Sequence, residues 1–166
     1  MSNALEYRPM EILLIEDNLV DARFTIGALE KSKIKYRLTM TRDGVEALEF
    51  LYRQGRFARA PRPDLILLDL ELPRKNGREV LNQVKGEFDL QAIPVVILSA
   101  SNSPEDMAQA QSLHVESYIT KPVNFDKFCT VLRDLKSFWT SDLALPCLGN
   151  VPPLSPDSPF AQFRHD

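Results

Sequence analysis

Short, largely apolar runs that stop at acidic or polar residues recur along the chain. Met10-Glu11-Ile12-Leu13-Leu14-Ile15 ends at Glu16-Asp17-Asn18, Leu65-Ile66-Leu67-Leu68 lies between Asp64 and Asp69, and Pro94-Val95-Val96-Ile97-Leu98 ends at Ser99-Ala100-Ser101-Asn102. Runs of this length without polar alternation read as strands of a parallel sheet covered on both faces. Tyr36-Arg37-Leu38-Thr39-Met40 alternates and reads as an edge strand. Glu116-Ser117-Tyr118-Ile119-Thr120 reads as a short strand running into Lys121-Pro122.

Between these runs the period lengthens to that of helices. Leu19 to Lys31 carries Val20, Phe24, Ala28 and Leu29 on its apolar side. Asp43-Gly44 opens a second helix with Val45, Leu48, Phe50, Leu51 and Tyr52, and Arg78 to Glu87 turns Val80, Leu81 and Val84 inward. Ser103-Pro104-Glu105-Asp106 is a strong helix start, with serine as the cap and proline in the first turn. A last helix runs from about Asn124 to Trp139. Its apolar arc (Phe125, Phe128, Cys129 and Leu132, with Val131, Leu135 and Phe138 beside them) is wider than one sheet face needs. Strand and helix alternate five times, which predicts an α/β fold with a parallel sheet wrapped by helices on both faces.

Two stretches fall outside that alternation. Gln54 to Pro63 holds three arginines and two prolines and reads as a solvated loop entering the central strand. Ser141 to Asp166 holds Pro146, Pro152, Pro153, Pro156 and Pro159 and no periodicity. The expected organisation is one domain over residues 8–140 and a proline-rich tail over 141–166, with no separate output domain. Phe160 and Phe163 leave open whether the tail is an extended packed arm or is disordered.

Composition narrows the class without choosing the function. The 166 residues are 44% hydrophobic and 26% charged with a net charge of −3, ordinary values for a folded domain. That charge gives no reason to expect nucleic acid or an anionic membrane surface as a partner. No apolar run approaches the roughly 20 residues of a membrane span, and Met1 to Arg8 lacks a signal-peptide layout, so a cytoplasmic location is expected. Cys129 and Cys147 read as reduced thiols, and with His114 and His165 they suggest no zinc-type cluster.

The chemistry gathers at the strand ends. In an open α/β sheet, ligands bind outside the carboxyl ends of the strands, and there the chain delivers Glu16, Asp17, Asp69, Ser99 and Lys121. Each alone reads as a cap or a turn residue. Together they have a logic: three close carboxylates repel, and an all-oxygen set offsets that repulsion with Mg²⁺ or a similar hard cation. A carboxylate held by such an ion beside a lysine can attack a phosphoryl group, whose charge is then neutralised from two sides.

On these residues the chain, from about Arg8 to Trp139, resembles the receiver domain of bacterial response regulators. The matching motifs are Ile15-Glu16-Asp17-Asn18, Leu68-Asp69-Leu70-Glu71-Leu72-Pro73 with Gly77, Leu98-Ser99-Ala100, and Tyr118-Ile119-Thr120-Lys121-Pro122. The resemblance implies a flavodoxin-like (βα)5 sheet of order 2-1-3-4-5, an order that general accounts of the fold give for a chemotaxis receiver. It implies that Asp69 is the phosphoacceptor, that Asp17, Asp69 and the backbone carbonyl of Glu71 hold Mg²⁺, and that Glu16 assists. It further implies that Lys121 pairs with Asp69 before modification and with the phosphoryl group after it. Ser99 would follow the phosphoryl group and Tyr118 would change rotamer, a bistable element biased by a local charge. Glu71 and Ser101 are expected to flank the path of the hydrolytic water and to set the dephosphorylation rate.

Within that family the stretch Asp69 to Leu81, the long loop before it and Val123-Asn124-Phe125 are similar to the small regulators that partner cyanobacterial phytochromes. The implied donor is a phosphohistidine on a sensor histidine kinase, docking on Asn18, Leu19, Val20, Asp21 and Phe24 and on Pro122 to Phe125. The implied self-association is a homodimer through the last helix and fifth strand. Two rivals fit worse: a haloacid-dehalogenase-type phosphatase, whose second acid Pro73 follows wrongly, and a flavodoxin-type cofactor binder, for which Glu16-Asp17-Asn18 has the wrong charge. A receiver-shaped interaction module that is not phosphorylated is the alternative that the fold alone leaves open.

Overall fold

The computed structural model of the chain describes residues 8–135. Its strands are β1 (Met10–Ile15), β2 (Tyr36–Thr41), β3 (Leu65–Leu68), β4 (Val95–Ser99) and β5 (Ser117–Thr120). Its helices are α1 (Leu19–Ser32), α2 (Gly44–Leu51), α3 (Gly77–Gly86), α4 (Pro104–Ser112) and α5 (Phe125–Arg133), with a short 3₁₀ turn at Gly55–Phe57. The sheet is parallel, in the order β2-β1-β3-β4-β5, with Ile15 beside Leu68 and Ser99 beside Thr120. The α/β expectation and the strand order hold.

Alternate residues of each strand feed two cores, because side chains leave a strand on opposite faces. Leu13, Ile15, Ile66, Leu68, Val95 and Ile97 pack with Leu48, Leu51, Val80, Leu81 and Val84 of α2 and α3. Ile12, Leu14, Leu65, Leu67, Val96 and Leu98 pack with Ala28 and Leu29 of α1 and with Phe128, Val131 and Leu132 of α5. All four residues of β3 are buried, so the central strand is apolar on both sides because both sides are covered.

Helix starts follow from side-chain caps. Asn18 accepts the N–H groups of Val20 and Asp21, Asp43 that of Glu46, Ser103 that of Asp106 and Asn124 that of Lys127. Asn76 and Glu79 form a reciprocal capping box at α3. Gly77 is needed for close approach: a Cβ there would lie 2.1 Å from the Asp69 carbonyl oxygen and 2.6 Å from Leu70 Cα. The glycine thus lets the loop after β3 fold back on the start of α3, where the Gly77 N–H donates to the Leu70 carbonyl at 3.0 Å.

Two local expectations are corrected. Val20 and Phe24 lie on the outside of α1, 61% and 64% exposed, while Ala22, Thr25, Ala28 and Leu29 are the buried residues. The arginine-rich loop is more than solvated chain. Phe57 packs edge-on against Phe50 at 5.3 Å between centroids, Arg56 pairs with Glu46, and Arg62 donates to the Asp89 carbonyl. Phe128, Val131 and Leu132 of α5 and Leu135 just past its end are buried and Cys129 is half-buried, so the core absorbs most of the described apolar arc. The tail of residues 141–166, and with it Cys147, His165, Phe160 and Phe163, lies outside the described residues, as do Phe138 and Trp139.

Candidate functional site

The carboxyl ends of β1, β3, β4 and β5 bring the site residues together. Asp69 is the first residue past β3, and its N–H donates to the Ile15 carbonyl at 3.0 Å, which fixes it beside the Glu16-Asp17 step. Glu16 follows β1, is fully buried, and accepts the Asn18 N–H at 3.2 Å. Lys121 follows β5, and its N–H donates to the Ser99 carbonyl at 2.8 Å. The Lys121–Pro122 peptide is cis.

The Lys121 ammonium group donates to three carboxylates: Glu16 Oε1 at 2.7 Å, Asp21 Oδ2 at 2.9 Å and Asp69 Oδ2 at 3.2 Å. An ammonium has three N–H donors, and each has an acceptor here. The expected Lys121–Asp69 pair is therefore present but is the longest of the three. Burial disfavours the charged form of Lys121, yet its hydrogen bonds to Asp21 and Glu16 and the charge of Asp69 outweigh it and raise its pKa. Burial also pushes the Glu16 carboxyl up to about 7, with Asp69 adding to the rise and Lys121 opposing it. The other Asp69 oxygen, Oδ1, accepts the Glu71 N–H at 3.0 Å.

Glu16, Asp17 and Asp69 each offer a carboxylate oxygen within 4.8 Å of the others. Two of these residues are buried and Asp17 is exposed. Three hard oxygen donors this close, one open to solvent, suit a divalent cation such as Mg²⁺ that keeps part of its water shell.

Ser99 is fully buried, and its Oγ accepts the Ser101 N–H at 3.1 Å. The Tyr118 hydroxyl, largely buried, donates to the Ser101 carbonyl at 2.6 Å, and burial raises its pKa. Ser101 Oγ donates in turn to Asp106 Oδ2 at 2.6 Å. Asp106 takes a two-pronged ion pair from Arg78 at 2.7 and 2.8 Å, and Arg78 also reaches Glu71 Oε1 at 3.1 Å. The Arg78 guanidinium holds the Asp106 carboxyl down to about 2. A continuous chain of hydrogen bonds thus joins Tyr118, Ser101, Asp106, Arg78 and Glu71 across β5, α4, α3 and the loop after β3.

The structure therefore brings together all the residues expected at the strand ends and adds three that the sequence reading did not place there. The sequence places Asp21 on a docking surface, and an acid in the first turn of a helix is ordinarily a partner for the helix dipole. In the sequence Arg78 and Asp106 read only as helix residues. Their pairing spans 28 positions, and no local pattern announces it.

A parallel, doubly wound domain whose strand ends hold an acidic cluster, a hydroxyl and a lysine is built as the receiver domains of two-component signalling are. The family model described as "Response regulator receiver domain" matches residues 12–133, and the chain belongs to that family. Phosphorylation and Mg²⁺ binding are features of the family. The chain is 43% identical to the response regulator Rcp1 of a Synechocystis strain over 138 residues, 83% of this chain and 94% of that protein. It is similar in structure to the phosphorylated cyanobacterial phytochrome response regulator RcpA (TM-score 0.69, 42% identity, covering 84% of this chain and 99% of that one). It is also similar to the Mn²⁺-bound form of Rcp1 (TM-score 0.68, 43% identity, 83% and 99%). The receiver resemblance and its closeness to the phytochrome regulators hold.

Proposed function

We propose that this chain is a phosphorylation-dependent response regulator that accepts a phosphoryl group on Asp69 from a phosphohistidine of a sensor histidine kinase, with a phytochrome as the candidate kinase. The observation that carries the reading is the Lys121 ammonium set between Asp69 and Glu16 at one side of a three-carboxylate group. An Asp69 carboxylate oxygen attacks phosphorus, the P–N bond breaks, and the imidazole leaves with the electron pair. Lys121 offsets the charge that arrives with the phosphoryl group. Asp17, Asp69, Glu16 and the backbone carbonyl of Glu71 would hold Mg²⁺, which supplies further charge neutralisation when bound.

In this reading the Ser99 hydroxyl donates to a phosphoryl oxygen. Tyr118 exchanges its bond to the Ser101 carbonyl for an inward position, which alters the surface formed by α4, β5 and α5. Glu71 and Ser101 set the lifetime of the aspartyl phosphate from beside the site. The kinase docks on the exposed apolar side of α1, where Leu19, Val20 and Phe24 are 53%, 61% and 64% exposed. A shallow pocket of about 310 Å³ lies beside it, lined by Asp21, Phe24, Ala100, Lys121, Pro122 and Val123. An exposed apolar rim of this kind suits a helical-bundle partner.

The same proposal includes a homodimer through α5 and β5, a cytoplasmic location, and a role as a signalling module rather than a turnover enzyme. It takes residues 8–140 as the receiver.

The test is phosphate incorporation from a small acyl phosphate, with Mg²⁺ and with EDTA, on the wild type and on Asp69→Asn. Incorporation that requires both Mg²⁺ and Asp69 is expected. Incorporation into Asp69→Asn equal to the wild type would move the acceptor elsewhere, and none under any condition would leave a receiver-shaped binding module.

A further inference from the structure

We infer that Asp21 is a positioning residue that restrains Lys121 and slows phosphorylation of Asp69. The inference rests on the phosphoacceptor reading above. Lys121 is the one cation that donates to Asp69 among the described side chains, and its three donors are divided among Glu16, Asp21 and Asp69. Glu16 and Asp69 sit at the ends of β1 and β3, facing each other across the strand pair. Asp21 approaches from the first turn of α1, where the Asn18 cap fixes its N–H at 3.0 Å.

The three contacts are unequal in a way that matters. The bond to Asp21 is 0.3 Å shorter than the bond to Asp69, from 2.9 and 3.2 Å. Lys121 is therefore held more closely by α1 than by the group to be modified. A phosphoryl oxygen arriving at Asp69 must compete for a donor that Asp21 occupies, and charge-assisted bonds of this length are the stronger kind. Asp21 lies outside the group of carboxylates placed to hold a cation, so its effect runs through the lysine.

The step affected is attack of an Asp69 oxygen on phosphorus of an acyl phosphate. The bond between phosphorus and the acyl oxygen breaks, and the acyl group leaves as a carboxylate with the electron pair, so no net proton is transferred. The Lys121 ammonium must turn toward the phosphoryl oxygens as that bond breaks, and Asp21 holds it back.

The experiment measures the rate of phosphorylation by a small acyl phosphate with saturating Mg²⁺, a donor that removes kinase docking on α1 from the comparison. Asp21→Asn is expected to react roughly two- to fivefold faster than the wild type, the range that loss of one partly exposed charged contact supplies. Asp21→Glu, which keeps the charge on a longer arm, is expected to return most of the way to the wild-type rate. In a Lys121→Gln background the Asp21→Asn effect is expected to vanish, because the two residues act as one unit. A purely structural role for Asp21 would instead give the same change in rate in the Lys121→Gln background and a lower melting temperature in both. An unchanged or slower Asp21→Asn rate, or an equal acceleration in Lys121→Gln, would overturn the inference. Failure of the wild type itself to incorporate phosphate would overturn the phosphoacceptor reading instead.

Discussion

The two rims of the sheet handle charge in opposite ways. At the amino ends of the strands, charged pairs tie one stretch of chain to another. Asp64, just before β3, takes a two-pronged pair from Arg8 at 2.6 and 2.7 Å and the Glu11 N–H at 2.8 Å, which fastens the start of β1 to the start of β3. Arg62 closes onto the Asp89 carbonyl. At the carboxyl ends, by contrast, one lysine serves three carboxylates, and a fully buried glutamate has its pKa moved up to about 7. A fold has no need of that crowding. Charge in excess of pairing, concentrated where the strands end, marks the functional rim, whereas one-to-one pairing on the other rim is architecture.

The largest effect should come from breaking the support of the crowded rim rather than its charges. Gly77→Ala would place a methyl carbon 2.1 Å from the Asp69 carbonyl oxygen, and the neighbour is backbone that cannot swing aside. The loop must move, at a cost of about 3 kcal/mol or more. The melting temperature should fall by roughly 10 °C, and the rate of phosphorylation should fall with it as Asp69 is displaced. A variant that melts with the wild type would show that the loop has slack which the close approach denies.

Next in size is the Arg78–Asp106 pair, which binds α3 to α4 beside the site. Asp106→Asn should destabilise by about 2 kcal/mol, since it strips a largely buried carboxylate from a guanidinium that remains. The pH dependence has a definite sign. The folded pKa is about 2, below the ordinary 3.8, so the pair contributes stability above about pH 4 and loses it as the pH falls toward 2. Urea unfolding of the wild type between pH 4 and pH 2 should show that decline, and Asp106→Asn should show less of it. Because Arg78 also holds Glu71 at 3.1 Å, Arg78→Gln should alter the decay rate of the aspartyl phosphate several-fold; equal decay would separate Glu71 from the latch.

The strands and the principal site residues were legible because one physical fact produces both signals. A strand buried on two faces must be apolar throughout, and whatever follows it must be polar to leave the core, so Ile15-Glu16, Leu68-Asp69 and Leu98-Ser99 announce strand and site together. Val20 and Phe24 misled because size was taken for burial. The inward side of α1 is built of Ala22, Thr25, Ala28 and Leu29, mostly small residues, and Leu19, Val20 and Phe24 are left outside. Asp21 escaped notice because its partner Lys121 lies 100 residues away. Arg78 and Asp106 escaped for the same reason on a shorter scale. Local pattern finds elements and their ends, but ion pairs that cross between elements depend on how those elements are stacked.

The smallest predicted effect is the sharpest check on the contrast between the rims. Arg8 is an exposed partner, its side chain 46% accessible, and its pair with Asp64 is of the kind that solvent screens. Arg8→Ala should lower stability by only about 0.5 kcal/mol. The Glu11 N–H remains as a partner for Asp64, so the carboxylate is not left bare. The rate of phosphorylation from a small donor should stay equal to the wild type, because the change lies at the opposite end of β3 from Asp69. Thermal melting and acyl-phosphate labelling on one preparation decide the matter. If Arg8→Ala changed the labelling rate as much as Asp21→Asn, charge would act on Asp69 through the length of the sheet, and the division between a structural and a functional rim would fall.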